Sequence, residues 1–559
     1  MTMKKREDIV KCDFLIVGGG IAGMQAAITA SSLGMDVVVA EKADTRRSGS
    51  GATGNDHFIC YIPEYHGDDF EEILREVSET LVGPWQDKNL LSLMLRRSQE
   101  VIELWESYGI NMRPTGEWNF EGHSMPGRRR YHLKYDGHDQ KPLLTKQALK
   151  NGCHILNKTT VNELLTNETG RVVGAIGVNI ADEKPELIVF QAKAVLVCTG
   201  HSVRIYPGMN PAYPFNACNC PADTGSGIAM GFRAGARLVN LDIPYVHSGP
   251  SMFQRCGKAT WIGVLTDYYG KPVGPFVTKP TRELGDVTAD IWQTVFREKM
   301  QDGTGPVFMN CSETSQEDME HMFKSFVSEG DTSLIDYMEQ YHIDLRKHMV
   351  EFNTYEYNYT ARGLDIGIDG MTTVSGLFAA GNITGNVRGD ISSAAVFGHV
   401  DAESACEYIK TVEEYDISNH PKIAETLEMY SAIMERETGA HWKEANSTMQ
   451  QIMNKYVGTE VRSETLLKSG IKYIGDLKRY ANEQLRAENS HELMRCLEVL
   501  DMLDVAEASA ISAEGRKETR GKCHNRVDYT YTNPLLNNKF QTIEKTRDGL
   551  KLAYREKVR

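Results

Sequence analysis

Gly18, Gly20 and Gly23 fall in the spacing G-x-G-x-x-G, and Glu41 follows at the spacing at which an acidic residue accepts hydrogen bonds from ribose hydroxyls. The chemistry open to such a set is the holding of a dinucleotide. Gly18 allows a tight turn, Gly20 lets the backbone come close to a pyrophosphate, and Gly23 lets a helix pack closely on a strand. A helix that begins at this turn offers unpaired N–H groups and the positive end of its dipole to phosphate oxygens.

The elements that must position these residues are written on either side of them. Phe14–Val17 is a short apolar run suited to a buried parallel strand, Ile21–Leu33 has a helical rhythm, and Asp36–Ala40 is a second strand that delivers Glu41. Together they form a βαβ unit in the order a dinucleotide needs. The competing reading, a glycine-rich turn in an unrelated α/β protein, does not account for both strands, the helix and the acid at once.

At 559 residues the chain exceeds one ordinary core, so roughly two to four structural units are expected. Hydrophobic content of 41% and charged content of 25% are those of a globular protein. A net charge of −14 argues against a nucleic-acid binder, which would present a basic face. No apolar run is long enough to span a membrane. Lys4, Lys5 and Arg6 precede apolar residues that belong to the first strand and are too few for a signal core. The expected location is the cytoplasm, or a membrane surface reached through a partner. Of the 11 cysteines only Cys218 and Cys220 are close together, and no C-x-x-C series exists to hold zinc or an iron–sulfur cluster. No metal site is expected.

After Glu41 and Lys42, the latter also an expected cofactor contact, comes a loop rich in glycine and serine, in which Arg47, Ser48, Ala52 and Gly54 reproduce an Arg-Ser-x-x-x-Ala-x-Gly segment. Here the sequence resembles the flavoproteins of fumarate reductase, succinate dehydrogenase and adenylylsulfate reductase, where such a segment runs under FAD. The respiratory fumarate and succinate enzymes attach FAD through a histidine after Arg-Ser; Gly49 stands there in this chain, as in adenylylsulfate reductase, which implies non-covalent FAD. Lys141-Pro142 resembles the same enzyme, whereas the triplet Arg128–Arg130 is either an anion contact or a solvated charge run.

Residues 154–199 alternate as strands, His154–Asn157, Val161–Leu165, Arg171–Val178, Leu187–Gln191 and Ala194–Thr199, and end in Thr199-Gly200, which the resemblance places against the cofactor. Thr224-Gly225-Ser226-Gly227, followed by Met230, Arg233, Ala234 and Gly235, is similar to the family's Thr-Gly-x-Gly turn and helix. His247 then stands where the fumarate enzymes carry a histidine that contacts substrate. Residues 248–350 differ most from the family: the arginine that protonates substrate in the fumarate enzymes has no counterpart in register, Arg282 being the nearest, and Arg255 and Lys258 are candidate replacements for anion binding.

From 355 to 400 the resemblance returns, carried by Tyr359-Thr360, Gly376–Ala379, Gly381, Arg388 and Ser392-Ser393, with Asn358 in place of the family's histidine and Asn382 in place of its glutamate. It implies cofactor contacts from Gly381, Asn382, Ser392 and Ser393, with the helix after the serines pointing N–H groups at the flavin pyrimidine oxygen. Arg388 would fix a carboxylate, sulfonate or similar anion with its reactive atom over flavin N5. Residues 416–559 read as helical, and Glu518, Arg520-Gly521, His524, Arg526 and Asp528 resemble a charged segment that locks the helices onto the flavin domain.

The expected fold is an α/β FAD-binding domain, Rossmann-like and of glutathione-reductase type, formed by 1–245 and 351–415. An α+β capping domain at 246–350 is inserted in it, and a helical domain at 416–559 follows. The resemblance implies an FAD-dependent oxidoreductase subunit that exchanges two electrons between flavin N5 and a small anionic substrate, either an organic acid or a sulfur oxyanion. A separate iron–sulfur subunit is the expected electron partner, and oligomerisation is left open. The alternative is a flavin electron-transfer subunit without a small-molecule substrate of its own.

Overall fold

The computed structural model describes residues 3–79, 85–121, 127–208, 215, 217, 219–251, 261–274, 277–285, 288, 292, 294–521 and 523–557. Its first βαβ unit is the predicted one: β1 (Val10–Val17), α1 (Ile21–Ser32) and β2 (Val37–Ala40). The long strand β3 (Glu186–Val197) lies on the other side of β1. Two strands were expected across β3, but its sequence contains no breaker. Its two polar residues near the middle are satisfied at the side, Gln191 by Glu414 and Lys193 by Asp13 at 2.8 Å.

Register determines where the site lies. Val17 of β1 is level with Ala40 of β2 and with Val197 of β3, all parallel. β4 (Leu377–Ala379) joins β3 in parallel with Ala379 level with Val197. Four strands therefore end along one line, and the residues that leave it are Gly18, Glu41, Cys198–Gly200 and Ala380-Gly381. That is the crevice beyond the carboxyl ends of a parallel sheet, where α/β folds bind ligands. Strands 172–179 and 159–166 extend the sheet antiparallel beyond β3.

Helix α1 and the long helix α4 (Ile391–Ile409) cross closely on this sheet. A Cβ on Gly398 of α4 would lie 2.4 Å from the Ala22 carbonyl oxygen of α1, so only glycine permits the approach. The intervening helix α2 (Ser226–Arg233) follows the Thr224–Gly227 turn, with Gly225 at φ 74° as its N-cap.

The cap is an antiparallel sheet of residues 248–250, 350–354, 307–310 and 264–266. Helix α3 (Gln316–Ser328) packs on it, and Trp261, Met322, Phe326 and Phe352 belong to a core of its own. Arg282 is anchored here to Asp318 and Glu317, at 2.7 and 3.0 Å, near the start of α3.

The C-terminal part begins as helices 421–435, 442–456, 464–484 and α5 (Ser490–Gly515). The expectation of helix to the end is corrected: residues 539–546 and 549–556 form a hairpin, which joins Leu238–Val239 to make a further sheet with 363–364. Asp548-Gly549 at the turn is a hairpin signal that outweighs the charge-rich, helix-like composition around it. None of the described helices is long and apolar enough to cross a membrane.

Buried charge fastens α5 to the nucleotide-binding unit. Glu498 accepts from Lys42 at 2.8 Å, Arg495 at 2.7 Å and Arg204 at 3.2 Å, and both Glu498 and Arg204 are almost wholly buried. Burial alone would raise the Glu498 carboxyl, but the three cations outweigh it and hold its pKa at about 2. A carboxyl depressed in the folded state stabilises above its ordinary value near 4.5, and that contribution is lost as pH falls towards 2. Glu498→Gln is expected to cost about 3 kcal/mol at neutral pH, and to flatten the acid limb between those values, read by chemical denaturation at stepped pH.

Candidate active site

One cavity of about 1110 Å³ runs along the line of strand ends. Small-molecule sites span roughly 300–1,000 Å³, so this one has room for a large cofactor with a small second ligand. Its wall includes Gly18, Gly20, Glu41, Lys42, Arg47, Ser48, Gly54, Thr199, Gly200, Gly381, Asn382 and Ser392 of the predicted cofactor set, with His247 and Arg388 of the predicted substrate set.

The three motif glycines differ in what surrounds them. A Cβ on Gly18, at φ 106°, would lie 2.7 Å from the Cys198 carbonyl oxygen, and one on Gly23 would lie 1.9 Å from the Gly18 carbonyl oxygen. A Cβ on Gly20 would meet nothing within 4 Å, because that side of the residue is the cavity. Gly20 is also the N-cap of α1 and provides no side-chain cap, so the first-turn N–H groups are available to an anion.

Glu41 is buried and already accepts from the Gly19 and Ala43 amides, both at 2.6 Å, which fixes its carboxylate at the wall. Ser48 donates to the Gly19 carbonyl at 3.2 Å. Lys141, fully buried, also donates to Gly19 O, and its burial, the largest influence on it, lowers its pKa to about 8. Lys42 lines the cavity, yet its ammonium is held by Glu498 and the Ala222 carbonyl. The ion pair is the reason Lys42 serves the domain contact before any cofactor.

Thr199 accepts from the Gly227 amide at 3.2 Å, and Gly200, at φ 76°, leaves no room for a Cβ beside Asp223. Gly225 sits behind the wall that its neighbours Thr224 and Ser226 form. Gly381 takes φ 80°, and Asn382 Nδ2 lies 3.2 Å from His201 Nδ1. The Asn382 Oδ1 atom is buried with no hydrogen-bond partner among the described residues. A buried acceptor so placed is what a ligand N–H would satisfy.

Helix α4 begins differently from the expectation. Asp390 is its N-cap, and its carboxylate accepts from the Ser393 amide at 2.7 Å, so that N–H is not available to a cofactor. Ser393 is off the cavity wall, and Ser392 accepts from the Ile59 amide at 2.5 Å.

Arg388 and His247 meet the same cavity. Arg388 is held through Nε by Asp390, and its terminal nitrogens have no hydrogen-bond partner among the described residues. His247 Nδ1 lies 2.8 Å from the Ser248 amide nitrogen and 3.1 Å from the Ser248 carbonyl oxygen, contacts that suit either ring tautomer. Asn358 is not on the wall: it is fully buried and its Oδ1 accepts from the Thr360 amide and hydroxyl at 3.0 and 2.8 Å. Thr360 is the residue that reaches the cavity. Arg255 and Lys258 lie outside the described residues.

Several wall residues escaped the sequence reading. Arg362 and Lys557 flank the Trp85 ring at 5.7 and 5.6 Å, and Arg520, paired with Glu518 at 2.6 Å, joins them on the wall. Burial lowers the Lys557 pKa to about 8. The triplet at 128–130 is paired instead, Arg128 with Glu76, Arg129 with Glu72 and Arg130 with Glu283. His57 and Glu329 also reach the wall, from segments far apart in sequence.

Comparison with known proteins agrees with this geometry. The FAD binding domain family matches residues 13–392, and the fumarate reductase flavoprotein C-terminal family matches residues 446–558. The chain is 24% identical to one of the subunits of the fumarate reductase (CoM/CoB) of Methanothermobacter marburgensis, over 96% of this chain and 98% of that one. It is 25% identical to the fumarate reductase flavoprotein subunit of Mycobacterium tuberculosis, over 92% of each. In fold it resembles adenylylsulfate reductase of Archaeoglobus fulgidus with a TM-score of 0.85 at 21% identity, covering 100% and 98% of the two chains. Quinol fumarate reductase of E. coli gives 0.81 at 20% identity, with 99% and 97% covered. The motif glycines, the line of strand ends and these matches all say the same thing: the chain belongs to the FAD binding domain family, and is an FAD-dependent oxidoreductase of the fumarate reductase flavoprotein type.

Proposed function

We propose that the cavity holds FAD without a covalent link, together with a small anionic substrate, an organic acid or a sulfur oxyanion, and that two electrons pass between them. The observation that carries this is Arg388: a guanidinium on the cavity wall, fixed through Nε by Asp390, whose terminal nitrogens no described residue occupies. Such a fork matches a carboxylate or sulfonate edge.

The residues divide the work by chemistry. The open N–H groups after Gly20 suit the pyrophosphate, and Glu41 suits ribose hydroxyls. Asn382 Oδ1 would accept from a cofactor N–H. Gly49, at φ 80°, offers no side chain for a covalent link. Bound FAD supplies the two-electron chemistry. His247 donates to the substrate anion and Arg388 orients it. Electrons then pass to or from a separate iron–sulfur subunit, for which the relatives' standing as subunits is the support.

Acid precipitation of the purified protein is expected to release FAD into the supernatant. Anaerobic titration with dicarboxylates, enoates, sulfite and adenylylsulfate is expected to change the flavin absorbance with one class of compound. Flavin that stays with the pellet contradicts non-covalent binding. A flavin indifferent to every compound but exchanging electrons rapidly with a partner protein favours an electron-transfer subunit without its own substrate.

A further inference from the structure

The cavity has a second chemical feature where the cap meets the flavin-binding unit. Residues 53–57 and the turn 328–331 after α3 interlock through two glycines: a Cβ on Gly54, at φ 133°, would lie 2.2 Å from the Ser328 carbonyl oxygen, and one on Gly330, at φ 77°, would lie 2.3 Å from the Thr53 carbonyl oxygen. This close seam brings Glu329 to Asp56. The Asp56 amide donates to Glu329 Oε1 at 3.0 Å, Asp56 Oδ1 lies 2.6 Å from His57 Nδ1, and Asp56 Oδ2 accepts from Lys134 Nζ at 2.6 Å. Glu329 Oε1 is also 3.6 Å from His57 Nδ1. His57 and Glu329 line the cavity, whereas Asp56 and Lys134 stand behind them.

We propose that Glu329 and Asp56 form a proton store for the reaction in this cavity, and that His57 hands the proton on to the substrate. This rests on the oxidoreductase reading above. Arg282, the arginine nearest to the register of the fumarate enzymes' proton donor, is held by Asp318 and Glu317, so the described residues of the wall offer a different proton source. Reduction of a substrate double bond needs one proton besides the electron pair and hydrogen that bound FAD would supply in its reduced form. That proton leaves the imidazolium form of His57 for the substrate atom that has become basic, and neutral imidazole remains. Glu329 then replaces it: the carboxyl O–H bond breaks, an N–H bond on His57 forms, and the Glu329 carboxylate later regains its proton from water. Oxidation runs the same transfers backwards.

The two carboxyls are set up for unequal roles. Burial, with Asp56 beside it, raises Glu329 well above the usual carboxyl range and favours its protonated form. Asp56 is also buried, yet Lys134 and His57 hold it ionised and well below that range. The other titratable groups that face them are Asp331 on the same turn, His132 and Tyr135 beside Lys134, His321 on α3, and Asp390 at the start of α4. Asp56, His57 and Glu329 could also converge on a metal ion, but the Lys134 ammonium already supplies the positive charge at Asp56.

Infrared spectroscopy of the FAD-loaded protein tests the store without any substrate. Wild type is expected to show a protonated-carboxyl stretch at pH 7 that Glu329→Gln removes and His57→Gln retains. Both variants are expected to keep FAD and to lose turnover by about 100-fold or more, with partial recovery in Glu329→Asp. A carboxyl signal unchanged by Glu329→Gln, or turnover within about twofold of wild type in either variant, overturns the proposal. If no compound exchanges electrons with the wild-type flavin, the oxidoreductase reading and the delivery role fall together, and the infrared signal still decides the store by itself.

Discussion

Gly23→Ala protein is expected to purify nearly free of FAD. The added methyl would lie 1.9 Å from the Gly18 carbonyl oxygen, with the Cys198 sulfur at 2.9 Å. Both neighbours belong to the turn and strand end that shape the pyrophosphate site, so α1 must move away from β1 and β3. Overpacking of this kind costs roughly 1–3 kcal/mol, and here the shift carries the first-turn N–H groups off the phosphates. Affinity for FAD should fall at least about 100-fold, or about 2.7 kcal/mol. Isothermal titration of the apoprotein measures it. Gly20→Ala is the informative partner: its methyl meets no protein atom within 4 Å and would act only by intruding on the ligand. A Gly20→Ala protein that loses FAD while keeping wild-type thermal stability would mark the cavity side of the turn as the pyrophosphate side.

Arg388→Ala should behave in the opposite way, retaining FAD and losing turnover. The side chain is mostly buried, and Asp390 continues to cap α4 through the Ser393 amide, so the helix start survives its loss. What disappears is the fork that holds the substrate anion. Loss of a charge-assisted bidentate contact in a water-poor site is expected to lower kcat/KM by about 1,000-fold, or about 4 kcal/mol. Arg388→Lys keeps the charge without the fork and should recover only part of it. Equal activity in wild type and Arg388→Ala would remove the main anchor for an anionic substrate.

How much of this was legible in the sequence follows from how locally each feature is encoded. The βαβ unit, its glycines and Glu41 lie within one short stretch, and the strand register then carries Thr199, Gly200 and Gly381 to the same edge. His247 and Arg388 were found because flanking segments resemble a family, and both reach the cavity. Asn358 followed from the same resemblance but turns inward, because a short polar side chain finds the Thr360 amide and hydroxyl closer than the cavity. Ser393 was expected at the cofactor, with the helix after the serines offering its N–H groups, and Asp390 instead takes the Ser393 amide, a cap that N-cap preference could have revealed. Glu329 and Asp56 meet only because the cap folds back on the loop after Gly54, and no local pattern records a contact between segments so far apart. Lys42 shows the same limit: it lines the cavity, as a cofactor contact would, but no local pattern records that Glu498, supplied by α5, holds its charge.

The most direct measurement is anaerobic stopped-flow mixing of photoreduced wild-type protein with single compounds from the anion panel, followed by flavin absorbance. Reoxidation by one class, with a rate that saturates in wild type and is nearly absent in Arg388→Ala at the same concentrations, is the result expected of an FAD oxidoreductase whose substrate anion sits on Arg388. Protein that carries no FAD, or a reduced flavin that no small anion reoxidises, would contradict it.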